Sequence, residues 1–135
     1  MANAWYPKYK QALLNGDTNI SIASGNVKVA LIDTADEAYN SADTFLSDVT
    51  GAGIVGTSAN LTSKTITNGV FDAADVTITG VTGDQFEALI FYIDTGVAAT
   101  SRLLLFLDTG WTGLPATPNG GDITLQFNAS GIAAL

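Results

Sequence analysis

Two apolar runs, FEALIFYID at 86–94 and RLLLFLD at 102–108, face each other across the short connection DTGVAATS, and no other feature limits the fold as strongly. Both are more continuously apolar than the other strand-like runs, as a strand covered on both faces would be. Around them the pattern repeats. NVKVALID sets Val27, Val29 and Leu31 against Asn26, Lys28 and Ala30, the period of a strand with one covered face. VTITGV at 76–81 and ITLQFN at 123–128 alternate as well, and IAAL closes the chain. Between them stand TGD, DTGWTGLPATPNGGD and NASG, rich in residues that suit turns. Short strands at such regular spacing predict a mostly β, single-domain β-sandwich of jelly-roll-like type rather than βαβ units. At 135 residues the chain is long enough to bury a core without staples.

Two segments break the β pattern. In the first, Trp5, Tyr6, Tyr9, Ala12 and Leu13 fall near helical spacing, with Pro7 suited to a first turn and Asn15-Gly16 to a stop. The division expected is a helical arm over 1–16 and a β-sandwich over 17–135. In the second, TADEAYNSADTFLSDVTG places Ala35, Ala38, Tyr39, Ala42, Phe45 and Leu46 at helical intervals, with Thr34 and Glu37 spaced as a capping box. A helical turn or two is expected in this first long connection. Its acids, Asp33, Asp36, Glu37, Asp43 and Asp48, do not match a calcium-binding loop and read as a solvated face.

Composition removes most chemistry. With no Cys and no His, thiolate nucleophiles, imidazole bases and the usual zinc, copper and haem ligand sets are excluded. Five basic against thirteen acidic residues give a net charge of −8, which repels nucleic-acid phosphates. No apolar run approaches the roughly 20 residues of a membrane helix, and MANAWYPKYKQALLNG lacks the layout of an export signal. GAGIVG at 51–56 has the G-x-G-x-x-G spacing, but no buried strand precedes it and the Thr-, Ser- and Asn-rich TSANLTSKTIT after it is not a helix. It reads as a glycine loop entering a strand, and the later FDAAD as a turn-like stretch. FYIDTG and LFLDTG carry the local signature of an aspartic protease at Asp94 and Asp108, but they lie one hairpin apart, and LIDTA at 31–35 repeats the unit without its glycine. Asp-Thr is therefore expected to be a strand-end turn in which the carboxylate accepts backbone N–H groups and Gly takes positive φ. Lys64 reads as an exposed lysine rather than half of a Ser–Lys pair, and Arg102 as a partner for Asp84, Glu87 or another chain's carboxylate. No catalytic residue, cofactor site or metal site is expected.

Taken together, YKQALLNG, NVKVALIDTADEAY, FLSDV, LTSKTITNGVFDAADVTITGVTGDQFEALIFYIDTG, TSRLLLFLDT and TGLPATPNGGDITLQF resemble a group of small structural proteins of tailed-phage particles. The most specific pieces are GVFDAADVT, TGDQFEAL and LPATPNGGDIT. The resemblance implies a virion component, made in the host cytoplasm and not exported, and the form expected is a head decoration, or cement, protein. Its partners would be further copies of itself, commonly in a trimer, and the major capsid protein, with no direct contact to nucleic acid or membrane. Low charge agrees, since 13% charged residues is about half the usual share and suits covered, obligate interfaces. The interface residues expected are Trp5, Tyr6 and Tyr9 on the arm and Trp111, Leu114 and Pro115 in the long loop. The alternatives are a tail or neck component, such as a tube, terminator ring or fibre-associated protein, and, in other classes, a dimeric aspartic protease or a carbohydrate-binding module built around Trp111.

Overall fold

A computed structural model describes residues 3–111 and 113–135; the arm's Met1 and Ala2, and Thr112 of the long loop, lie outside them. Its central feature is a five-stranded antiparallel sheet in the order β1-β8-β7-β2-β3. These strands are β1 (Ala4–Trp5), β2 (Val27–Ile32), β3 (Ile54–Thr57), β7 (Ala88–Ile93) and β8 (Leu103–Leu107). Every residue of β7 and β8 is buried, which is why these runs are apolar without alternation: both faces of the strand are covered. β2 departs from expectation for the same reason. Ala30, on the face that alternation assigned to solvent, is as fully buried as Val29 and Leu31.

Register shows what covers each face. Val29, Phe91 and Leu105 stand opposite one another on one side, and Ala30, Ile90 and Phe106 on the other. The first side packs on two small antiparallel sheets. One is β10-β5-β4, built from β4 (Thr65–Thr67), β5 (Val70–Asp72) and β10 (Ala133–Ala134); the other pairs β6 (Val76–Ile78) with β9 (Ile123–Leu125). Phe91 meets Phe71 of β5 edge-on at 6.2 Å between centroids, and Phe127, just past β9, at 6.1 Å. This is a small β-sandwich. The opposite side of the large sheet lies under a thin cover in which Tyr39 bridges Tyr6 and Phe106, with centroids 5.3 and 5.4 Å away.

That cover comes from the two segments that broke the β pattern. Helix α1 (Pro7–Asn15) starts on Pro7 and ends on Gly16, whose φ of 70° lets its N–H reach back to the carbonyls of Ala12 and Leu13. Tyr9 and Ala12 face inward. Ahead of the helix, β1 pairs with β8, and the indole N–H of Trp5 donates to the carbonyl of Ala134 at 2.8 Å, linking an edge of the large sheet to an edge of the small one. Residues 3–16 thus complete the sandwich as well as decorating it. In the connection after β2 the helical turn is a single 3-10 turn, Leu46–Asp48, with a second at Gly51–Gly53. The Thr34–Glu37 capping box does not form: Thr34 donates from its N–H and Oγ1 to Glu87, while Glu37 accepts the N–H of Thr50. GAGIVG is a glycine turn running into β3, as expected. FDAAD is less turn-like than expected, since Phe71 and Asp72 belong to β5 and Phe71 is a core residue.

Candidate functional site

The Asp-Thr-Gly units sit at opposite ends of the sheet. Leu107 pairs with Leu89 while Asp94 ends β7 beyond Ile93, so six strand positions, about 20 Å, separate the two carboxylates within one chain. They cannot share a proton. Asp94 accepts the N–H of Gly96 at 3.0 Å and pairs with Lys28 at 2.8 Å. The lysine, followed by the backbone donor, holds its carboxyl below the usual carboxylate range. Gly96 and Gly110 both take positive φ, and Asp33 in the third copy accepts the N–H of Ala35. At Asp33 and Asp94 the unit forms a turn of the expected kind, and at Asp108 the carboxylate accepts the hydroxyl of Thr109.

Two other sequence expectations change. Arg102 pairs with neither Asp84 nor Glu87. Its guanidinium lies over the Phe45 ring, 4.9 Å from the centroid, with Asp17 at 3.9 Å and its Nε buried without a partner. Lys64 donates to the carbonyl of Gly25, so it closes a loop. The acids of the first connection are a solvated face only in part: Asp36 and Asp48 are exposed, while Asp33, Glu37 and Asp43 are all less than a tenth exposed. Asp33 and the exposed Asp36 and Asp84 bring one oxygen each within 4.8 Å of one another. Asp43 lies under Tyr6 and Tyr39. Burial, then the charges of Glu37 and Asp48, push its pKa up to about 6. Asp48 moves the other way, because the N–H groups of Phe45 and Thr44 donate to its carboxylate.

The surface with most to offer a partner is apolar. Between α1, the segment 20–23, β4, β5 and the carboxy-terminal residue lies a groove of about 330 Å³ walled by Trp5, Tyr9, Leu13, Ile22, Ile66 and Leu135. Leu13 and Leu135 also wall an adjoining depression with Leu14 and Lys10, so the two form one continuous apolar face. Three of the four large apolar side chains that stand out into solvent among the described residues are on it: Leu14 is 90% exposed, Leu135 61% and Ile66 49%. The helix explains Leu14. Tyr9, Ala12 and Leu13 occupy its inward stripe, and the next residue must point away.

The expected interface residues divide. Tyr6 and Tyr9 are 1% and 2% exposed and belong to the chain's own core, where burial raises both hydroxyl pKa values, that of Tyr9 to about 12. Trp5 stacks on Tyr9 at 5.8 Å and shows one face in the apolar groove. Trp111 is half-buried against Phe127, 5.6 Å between centroids, on a different part of the surface. Leu114 packs against the core and Pro115 is exposed beside it. Leu13, Leu14, Ile66 and Leu135 were not expected. A Leu-Leu doublet at the end of an amphipathic helix was the one available sign. No protein-family model and no curated protein sequence matches the chain.

Proposed function

We propose that this chain is a non-enzymatic structural subunit of a tailed-phage particle, a capsid decoration (cement) protein that associates with copies of itself, a trimer being the simplest form, and clamps the major capsid protein on the head surface. The observation that carries this reading is the continuous apolar face, on which Leu14, Ile66 and Leu135 are exposed together, Val97 being the one other exposed large apolar side chain among the described residues. Contiguous apolar surface of this kind marks an interaction site, and obligate interfaces are the more hydrophobic ones. The resemblance carried by GVFDAADVT, TGDQFEAL and LPATPNGGDIT supports the phage assignment. A neck or tail ring is the second reading, favoured by the net charge of −8, which would let DNA pass a lumen without sticking.

Quantitative mass spectrometry of purified particles separates them. A copy number comparable with the major capsid protein is expected of a cement protein. A copy number of one ring or a stack of rings would move the chain to the neck or tail, and its absence from particles would overturn both readings.

A further inference from the structure

A second concavity, remote in character from the apolar face, lies between the turn after β8 and the segment that follows β9. It has a volume of about 360 Å³, within the range of small-ligand sites, roughly 300–1,000 Å³. Trp111 and Phe127 supply its aromatic wall; Asn3, Thr124, Gln126 and Asn128 supply its amides and hydroxyl. Among the described residues no charged side chain lines it, on a protein with eighteen charged residues. We propose that this cleft binds a neutral saccharide, the end of a glycan chain stacked on Trp111.

The chemistry of the lining selects that class. The described lining residues include no cation to neutralise a phosphate or carboxylate and no carboxylate to take an amine or a metal ion. It is too polar for a purely apolar ligand, unlike the groove beside Trp5. What remains is a ligand with an apolar C–H face for the indole and hydroxyl groups for amides, which is the surface of an uncharged sugar ring.

The site is also held in place before any ligand arrives. Trp111 rests edge-on against Phe127, which rests on Phe91 in the core. The backbone of Phe127 is fixed by donation to Asp75 at 2.8 Å. Across the cleft, Asn3 accepts the N–H groups of Asp108 and Thr109 and donates to the carbonyl of Thr109, which pins the turn that presents Trp111. Asn128 gives its carbonyl to Ser130, leaving its amide N–H donors for a ligand, and Gln126 makes no side-chain hydrogen bond among the described residues. A rigid aromatic platform flanked by uncommitted amides loses little freedom on binding.

The test is protein-observed NMR on the full chain, which has only two indole N–H signals, from Trp5 and Trp111. The probes are maltotriose, mannotriose, chitotriose and the anionic sialyllactose, each taken to about 10 mM, above the dissociation constant of even a weak single contact. At least one neutral trisaccharide is expected to move the Trp111 signal in a saturable way and leave that of Trp5 in place. Trp111→Ala should weaken that binding at least about tenfold and Gln126→Ala by about threefold. Gln126 is exposed and contributes nothing to the core, so its variant reports on the cleft even if the loop fails to tolerate loss of the indole. No response from any neutral probe, a response to sialyllactose alone, or binding that survives both substitutions would overturn the proposal.

Discussion

At the scale of single residues, the fold holds several side chains in positions where a one-atom change has a calculable consequence. Asp43 is buried beside Glu37 and Asp48, and its pKa of about 6 lies above the usual carboxylate range. The folded chain therefore binds a proton here between about pH 4 and 6 that the unfolded chain does not, so stability attributable to this residue falls as pH rises through that window. Asp43→Asn removes the cost. It is expected to raise unfolding stability by about 1–3 kcal/mol at pH 7.5, with the gain fading below pH 5, as read by urea unfolding across that range. A gain that is independent of pH would show the effect to be packing, not charge. Gly53 illustrates a steric limit: a Cβ built on it would lie 2.4 Å from the Cβ of Glu37, itself held by Thr50. Neither backbone can yield cheaply, and Gly53→Ala is expected to cost at least about 1–3 kcal/mol by the same measurement, whereas Gly51→Ala, with open space around it, should cost far less.

At the scale of elements, the parts that were readable from the sequence are those whose environment is uniform along their length. β7 and β8 are covered on both faces, so their residues had to be apolar at every position and the runs announced themselves. β1 and β10 have two residues each and no periodicity; they are strands only because β8 and β5 offer edges to pair with, and the Trp5 indole ties the two together by donating to Ala134. The acids after β2 misled because their spacing mimics an exposed helical face, while tertiary partners such as the N–H of Thr50 draw Glu37 inward. The candidate site was legible only in part. Trp5 and Trp111 stood out as large side chains in non-core segments, but Leu14, Ile66 and Leu135 come from a helix end, a short strand and the last residue, and only folding makes them neighbours. β3 offers the element-level test. Where it leaves β2, Ser58 takes over: its Oγ accepts the N–H of Val29 and donates to the carbonyl of Ala59 while the residue is 3% exposed. Ser58→Ala would strand a buried N–H in the middle of the large sheet. A loss of about 1–3 kcal/mol is expected in urea unfolding, with no such loss for the exposed Ser41→Ala.

At the scale of the whole molecule, low charge and a continuous apolar face have a common consequence for association. Eighteen charged residues in 135 give little polar surface to discourage contact, and the net charge of −8 opposes self-association only until apolar burial outweighs it. The exposed side chains of Leu14 and Leu135 adjoin a groove that a neighbour's own apolar residues can fill, so the contact is expected to be hydrophobic in its salt response: strengthened by sulfate and little weakened by sodium chloride. Sedimentation velocity at micromolar concentration should show a species that is a multiple of the 13.9 kDa chain. Because Leu14 is 90% exposed, Leu14→Glu removes almost no core contact, and the variant chain should keep its fold and circular dichroism. Paired with Leu135→Glu, it places two carboxylates where the proposed self-contact would seat a neighbour's apolar surface, and burying unpaired charge there is strongly unfavourable. The double variant should therefore sediment as a single chain and fail to enter particles when expressed in place of the natural sequence. A double variant that still assembles would move the self-contact away from this face and leave the groove for the capsid protein alone; one that stays monomeric yet still enters particles would separate capsid binding from oligomer formation.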